Sequence, residues 1–143
     1  GPTHVEISGH PLRPGNQYQV LLSQAGSVSF RRLELFLELE EQATFRQGTD
    51  VRTERQVVWQ SLIRRWNNIE PLSGTPFEAE VQLELPSKAM HSFSSTHNTV
   101  SWRLVLRGVP EHWPALVRVF PVVVFPAEII SSDGKKAIVQ TRT

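Results

Sequence analysis

Apolar and polar residues alternate with a period of two along much of this 143-residue chain. That is the pattern of antiparallel strands with one face buried and the other in water. Residues 32–40 show it most fully. Leu33, Leu35, Leu37 and Leu39 fall on one side, and Glu34, Phe36, Glu38 and Glu40 on the other. A helix would spread these leucines around its axis, whereas a strand gathers them on one face. Residues 77–85 repeat the pattern, with Phe77, Ala79, Val81, Leu83 and Leu85 set against Glu78, Glu80, Gln82 and Glu84. Residues 100–107 place Val100, Trp102, Leu104 and Leu106 inward, and Ser101, Arg103 and Arg107 outward. Shorter strands are expected at 3–8, around Val5 and Ile7, and at 17–23, around Tyr18, Val20 and Leu22. The turn chemistry of Pro14-Gly15 lies between them. Residues 116–125 read as a last long strand. Pro121 has no amide hydrogen for a ladder, which puts that strand at an edge or at a bulge.

Residues 56–66 fit two templates. Val58, Trp59, Leu62, Ile63 and Trp66 have helical spacing, while Val57, Trp59 and Ile63 share one strand face. The β pattern on both sides decides for a strand. The polar stretch 47–54 reads as a hairpin tip, and 67–76, 86–98 and 108–114 read as loops. Beyond residue 126, Ser131-Ser132-Asp133-Gly134-Lys135-Lys136 reads as an exposed turn flanked by Ile129, Ile130, Ile138 and Val139. Either a small hairpin or a frayed tail fits it. The expected fold class is all-β, a two-sheet antiparallel β-sandwich over residues 1–126, arrestin-like or immunoglobulin-like in outline. Residues 127–143 form a C-terminal tail or small extra hairpin. Leu33, Leu35, Leu37, Leu39, Val81, Leu83, Trp102 and Leu104 are the expected inter-sheet core.

Composition narrows the function classes. With 39% hydrophobic and 20% charged residues the chain can bury a core. A formal net charge of +1 does not suit a nucleic-acid binder. The absence of cysteine removes disulfides, thiolate catalysis and cysteine-ligated metals. No apolar run approaches the length that spans a membrane as a helix. The opening Gly1-Pro2 reads as a scar on a piece excised from a longer parent.

Candidate chemistry is sparse. His91 and His97 bracket one loop, but their spacing and the lack of a nearby carboxylate do not make a zinc site. Ser, His and Asp are present without a nucleophile elbow, and neither a Gly-rich phosphate loop nor a His-Glu-x-x-His helix occurs. The glutamate-rich faces at 34–40 and 78–84 read as solvated sheet faces. Arg46, Arg52, Arg55, Arg64 and Arg65 could form an anion patch, but cross-strand pairing with Glu40, Glu41, Glu54 or the glutamate faces explains them more simply. Trp66 and Trp113 lie near loops and could stack on a sugar. Each is more often a lid over the end of a sandwich core than a ligand platform. The reading is therefore no catalytic, cofactor-binding or metal-binding residue, and no cofactor.

Several segments in order resemble an arrestin-type domain. These are Val5-Glu6-Ile7, then Leu12-Arg13-Pro14-Gly15 and Tyr18-Gln19-Val20, then Leu72-Ser73-Gly74 through Phe77, Val81, Leu83 and Leu85-Pro86 to Ser92-Phe93. Val100-Ser101-Trp102-Arg103-Leu104 and Val122-Val123-Val124-Phe125-Pro126 complete the match. The family's double proline before Ser is Met90-His91 here. Its ligase-recruiting Pro-Pro-x-Tyr is absent, as are phosphate-sensing lysines in the first strand. The resemblance implies the sandwich fold and a scaffold role, and it favours the cytoplasm without fixing a compartment. The function expected is a non-catalytic scaffold or protein-interaction module within a larger protein. A carbohydrate- or small-ligand-binding module of an exported protein is the alternative. The partner is expected to be a protein that docks on an edge strand or loops, with no nucleic acid. The strand at 116–125 is the candidate edge, open at 122–125 to another chain or to Ile138 and Val139 of the tail.

Overall fold

A computed structural model describes residues 2–26, 28–70, 74–89, 91–126, 128–130 and 136–138. Among them there are strands and no helix. In chain order the strands are β1 (Thr3–Ile7), β2 (Gln17–Gln24), β3 (Phe30–Gln47), β4 (Asp50–Ile69), β5 (Phe77–Glu84), β6 (Phe93–Ser94), β7 (Asn98–Pro110), β8 (Leu116–Val122), β9 (Glu128–Ile130) and β10 (Lys136–Ile138). The smaller sheet runs β1-β2-β5. The larger runs β4-β3-β7, with β6 and β8 on the far side of β7 at opposite ends. All of these pairings are antiparallel. β9 and β10 pair antiparallel with each other.

The leucine face of β3 carries the core. Leu33, Leu35, Leu37 and Leu39 lie opposite Gly108, Leu106, Leu104 and Trp102 of β7. These leucines are buried in one cluster with Val20, Leu22, Val81, Leu83 and Leu85 of the other sheet and its exit. The whole expected core is buried. At about 25 cal/mol per Å² of apolar surface removed from water, this inter-sheet layer is the main stabilising term.

β4 resolves the ambiguity at 56–66. Leu35 pairs with Arg64 but Phe36 with Leu62, and Leu39 pairs with Trp59 but Glu40 with Val57. Ile63 and Val58 are thus extra residues at two β-bulges. Each bulge adds one residue to the inward repeat. The core-side series Trp59, Ser61, Ile63 and Trp66 therefore ends with a step of three, which gives the stretch its helical look.

The β3–β4 ribbon overshoots the sandwich. β3 pairs with β7 only as far as Ala43↔Asn98, whereas its pairing with β4 continues to Gln47↔Asp50. Residues 44–53 project beyond the end of β7, held at their base by a hydrogen bond from the Thr44 amide to the His97 carbonyl (2.8 Å). The turn is confined to Gly48-Thr49. Gly48 has φ +66°, as the first central position of a type II′ turn requires. The expected tip at 47–54 is therefore mostly strand.

The last strand is shorter than expected. β8 stops at Val122, and the chain then leaves the larger sheet. Val124 forms a parallel bridge with Leu12. The Leu12 amide donates to the Val123 carbonyl and the Phe125 amide to the Leu12 carbonyl, both at 2.8 Å. The Val123 amide donates to His10 Nε2 and the Val124 amide to Ser92 Oγ, each at 3.1 Å. The Ser92 amide donates to the Val124 carbonyl (2.9 Å). The expectation that 122–125 offers open pairing positions is therefore overturned, because this stretch is consumed in lacing the two ends of the domain together. Loop expectations shift as well. β4 runs to Ile69 and β7 to Pro110, and the loop at 86–98 contains β6. Leu72, Ser73, Met90, Val139 and the turn expected at 131–135 lie outside the described residues.

Candidate interaction surfaces

The registered pairs place the outer residues of the larger sheet in rows. One row is Arg65, Glu34, Arg107 and Val117. The next is Leu62, Phe36, Val105 and Val119. A third is Gln60, Glu38, Arg103 and Pro121. The charged rows are internally satisfied. Arg65 Nε and Nη2 donate to Glu34 Oε2 at 2.9 and 2.6 Å, and Arg32 adds a contact at 3.2 Å. Glu38, only 1% exposed, accepts from Arg103 Nε (3.0 Å), Gln60 Nε2 (2.5 Å) and Arg107 (3.4 Å). Arg103 also reaches Glu40 at 2.9 Å. A buried carboxylate needs this number of donors to offset its lost hydration. The apolar row between has Val105 buried at its centre and Leu62 and Val119 exposed at its ends. The Arg107 guanidinium lies 5.4 Å from the centroid of the Phe36 ring.

The five arginines singled out in the sequence do not converge. Arg65 pairs with Glu34, Arg55 Nε donates to Gln42 (3.1 Å), and Arg64 lies over the Trp66 ring at 5.9 Å. Arg46 and Arg52 sit on the projecting ribbon, opposite Val51 and Phe45. The ribbon base and the loop 96–98 frame an apolar recess of about 620 Å³ beside Phe45, Val51 and His97.

Both half-buried tryptophans of β4 serve packing. Trp59 meets Trp102 edge-on at 5.6 Å, and Trp66 meets Phe77 edge-on at 5.5 Å. Trp113 is 69% exposed on the loop after β7, whereas Trp66 is half-buried and its ring contact is with Phe77. His91 meets Phe93 edge-on at 6.4 Å. Among the described residues, no three His, Asp or Glu side chains converge as a metal site would require.

The sheet edges differ from one another. β8, which among the described residues pairs with β7 alone, carries Pro121, and Arg118, its side chain exposed, stands on the core-side row opposite Leu106. An inward charge and a proline are two devices that blunt an edge. β4 has its two bulges and its arginines. β1 is only five residues long. β5 has none of these features. Its register with β2 is unbroken over eight residues, it contains neither Gly nor Pro, and among the described residues its far side pairs with nothing. Beside it, between β4 and β5, opens a groove of about 390 Å³ lined by Leu37, Trp59, Ile63 and Leu83, among others. The sequence held the signals for this contrast, because β5 lacks Pro, Gly and inward charge. The bulges that guard β4 are visible only in the pairing.

Two mostly antiparallel sheets face to face, with a closing segment that passes from one layer to the other, define an arrestin-like β-sandwich. Among solved structures the chain is similar to Spo0M, a sporulation control protein from Bacillus subtilis, with a TM-score of 0.59 and 11% sequence identity. The alignment covers 85% of this chain and 48% of that one, so the chain spans about half the length of its neighbour. The likeness is one of fold. No protein-family model matches the chain, and none of the curated proteins compared with it matches in sequence.

Proposed function

We propose that this chain is a non-catalytic protein-interaction module whose sandwich, residues 1–126, is a scaffold for exposed edges and a projecting ribbon. One observation carries the reading. The side chains best suited to chemistry, Glu34, Glu38, Glu40 and their arginines, are tied to one another across a sheet face. The positions left open are strand edges and apolar ribbon residues such as Val51, 63% exposed. Catalytic groups gather in concave sites, whereas edges and ribbons recognise other chains. The fold neighbour's description as a control protein agrees with a regulatory scaffold. A photo-crosslinking residue placed at Val51, Glu80 or Val119, one position at a time, tests it in extracts of the source cells. Discrete protein adducts from at least one position are expected. Absence of adducts at all three, together with turnover of a substrate by the purified chain, overturns the reading.

A further inference from the structure

We propose that the free edge of β5 receives an extended, basic partner segment, Lys or Arg alternating with apolar residues, by strand addition. The proposal rests on the interaction-module reading and names the edge and the chemistry of its occupant.

Three observations converge on this edge. The first is that β5 lacks the blunting devices of the others. An eight-residue strand with regular register and one side unpaired is a template for a further strand.

The second is charge. The two glutamate-rich faces of this protein have opposite fates. Glu34, Glu38 and Glu40 are neutralised by Arg32, Arg65, Arg103 and Arg107. Glu78, Glu80 and Glu84 are exposed and make no ion pair among the described residues. Their cross-strand neighbours on β2, namely Ser23, Leu21 and Gln17, bring no cation. An incoming strand would place its own outward side chains directly beside these carboxylates, where opposite charges stabilise and like charges destabilise. That selects a basic strand. It also disfavours a second copy of this chain pairing β5 to β5, because glutamate would face glutamate.

The third is the groove between β4 and β5. In a strand the side chains alternate between the two faces. When the basic residues lie beside the glutamates, the residues between them point toward Leu37, Trp59, Ile63 and Leu83. Leu37 and Leu83 are already buried, so apolar residues at those positions would cover the half-buried side chains of Trp59 and Ile63, which the open side of the sandwich leaves partly in water.

The test uses the full chain and an eight-residue peptide in which Lys and Val alternate, followed by amide hydrogen exchange and by titration. The expected result is slowed exchange in β5 on peptide addition, with binding that weakens as salt rises. Glu78→Lys, Glu80→Lys and Glu84→Lys together should weaken binding roughly tenfold or more, at about threefold per exposed pair. The Gln versions of the same three positions should give a smaller loss in the same direction, and circular dichroism checks that each variant is folded. A peptide of identical composition, with its lysines and valines in separate blocks, should bind at least about tenfold more weakly. Equal binding of the block peptide, unchanged binding by the charge-reversed variants, or no slowing in β5 each overturns the proposal. Adducts formed from Val51 or Val119 in the crosslinking experiment would then leave the module reading standing without this edge.

Discussion

Gly108 and Leu37 lie two inward rows apart in the same sheet, with the Leu35–Leu106 row between them, and fail in opposite ways when changed. Gly108 lies opposite Leu33 on one side and Leu116 on the other. A Cβ there would sit 2.9 Å from Phe30 Cε1 and 3.2 Å from Leu33 Cδ1. Gly108→Ala should therefore overpack the core and cost about 1–3 kcal/mol, read as a lower urea midpoint at unchanged slope. Leu37, 1% exposed, would instead leave a cavity. Leu37→Ala should cost about 2–5 kcal/mol, and a loss below about 1 kcal/mol would show that its row does not face the core. Individual residue roles were legible wherever alternation was strict. The leucine face of β3, Val81, Leu83, Trp102 and Leu104 were assignable from spacing alone, because burial of one strand face imposes that spacing. The role of Glu38 was not. Nothing in the sequence distinguishes a carboxylate held by two arginines and a glutamine from the exposed Glu80, since the difference lies in which strand pairs alongside.

At the level of elements, the strands were legible and so was the edge marked by Pro121, but the limits of the strands and the guarding of β4 were not. Period-two alternation identifies a strand without saying where pairing stops, so the ribbon at 44–53 and the early end of β8 emerge only with the partner strands in place. Bulges let residues 56–66 fit a helix as well as the strand they form, as inserted residues alter the period that betrays a strand. Pro121 did report correctly that β8 is an edge. Its companion Arg118 carries a further expectation. If the two residues keep β8 from pairing between molecules, Arg118→Ile with Pro121→Val should convert a dispersed protein into one that self-associates. Sedimentation velocity at rising concentration would show the change, and a double variant that sediments like the parent would mean that the edge is guarded by something else.

At the scale of the whole molecule, the chain at 125–126 is tied back to its beginning: the Phe125 amide donates to the Leu12 carbonyl (2.8 Å) and the Pro126 carbonyl accepts from Arg13 Nη1 (3.3 Å). The β9–β10 pair makes its ladder with itself. Ending the chain after Pro126 should leave the calorimetric melting midpoint within about 2 °C, a change worth well under 1 kcal/mol for a domain of this size. A larger drop would mean that 127–143 contributes to the sandwich. The lacing of His10 and Leu12 to 123–125 joins residues 113 positions apart. Closing so long a loop is slow relative to forming the hairpins within it. On a ribosome the consequence is a wait. At about 5–20 residues per second, Leu12 is synthesised roughly 6–22 s before its partner Val124. Throughout that interval one flank of the nascent core lies uncovered, and the cell must shelter it until residues 122–125 have followed the rest of the sandwich out of the ribosome.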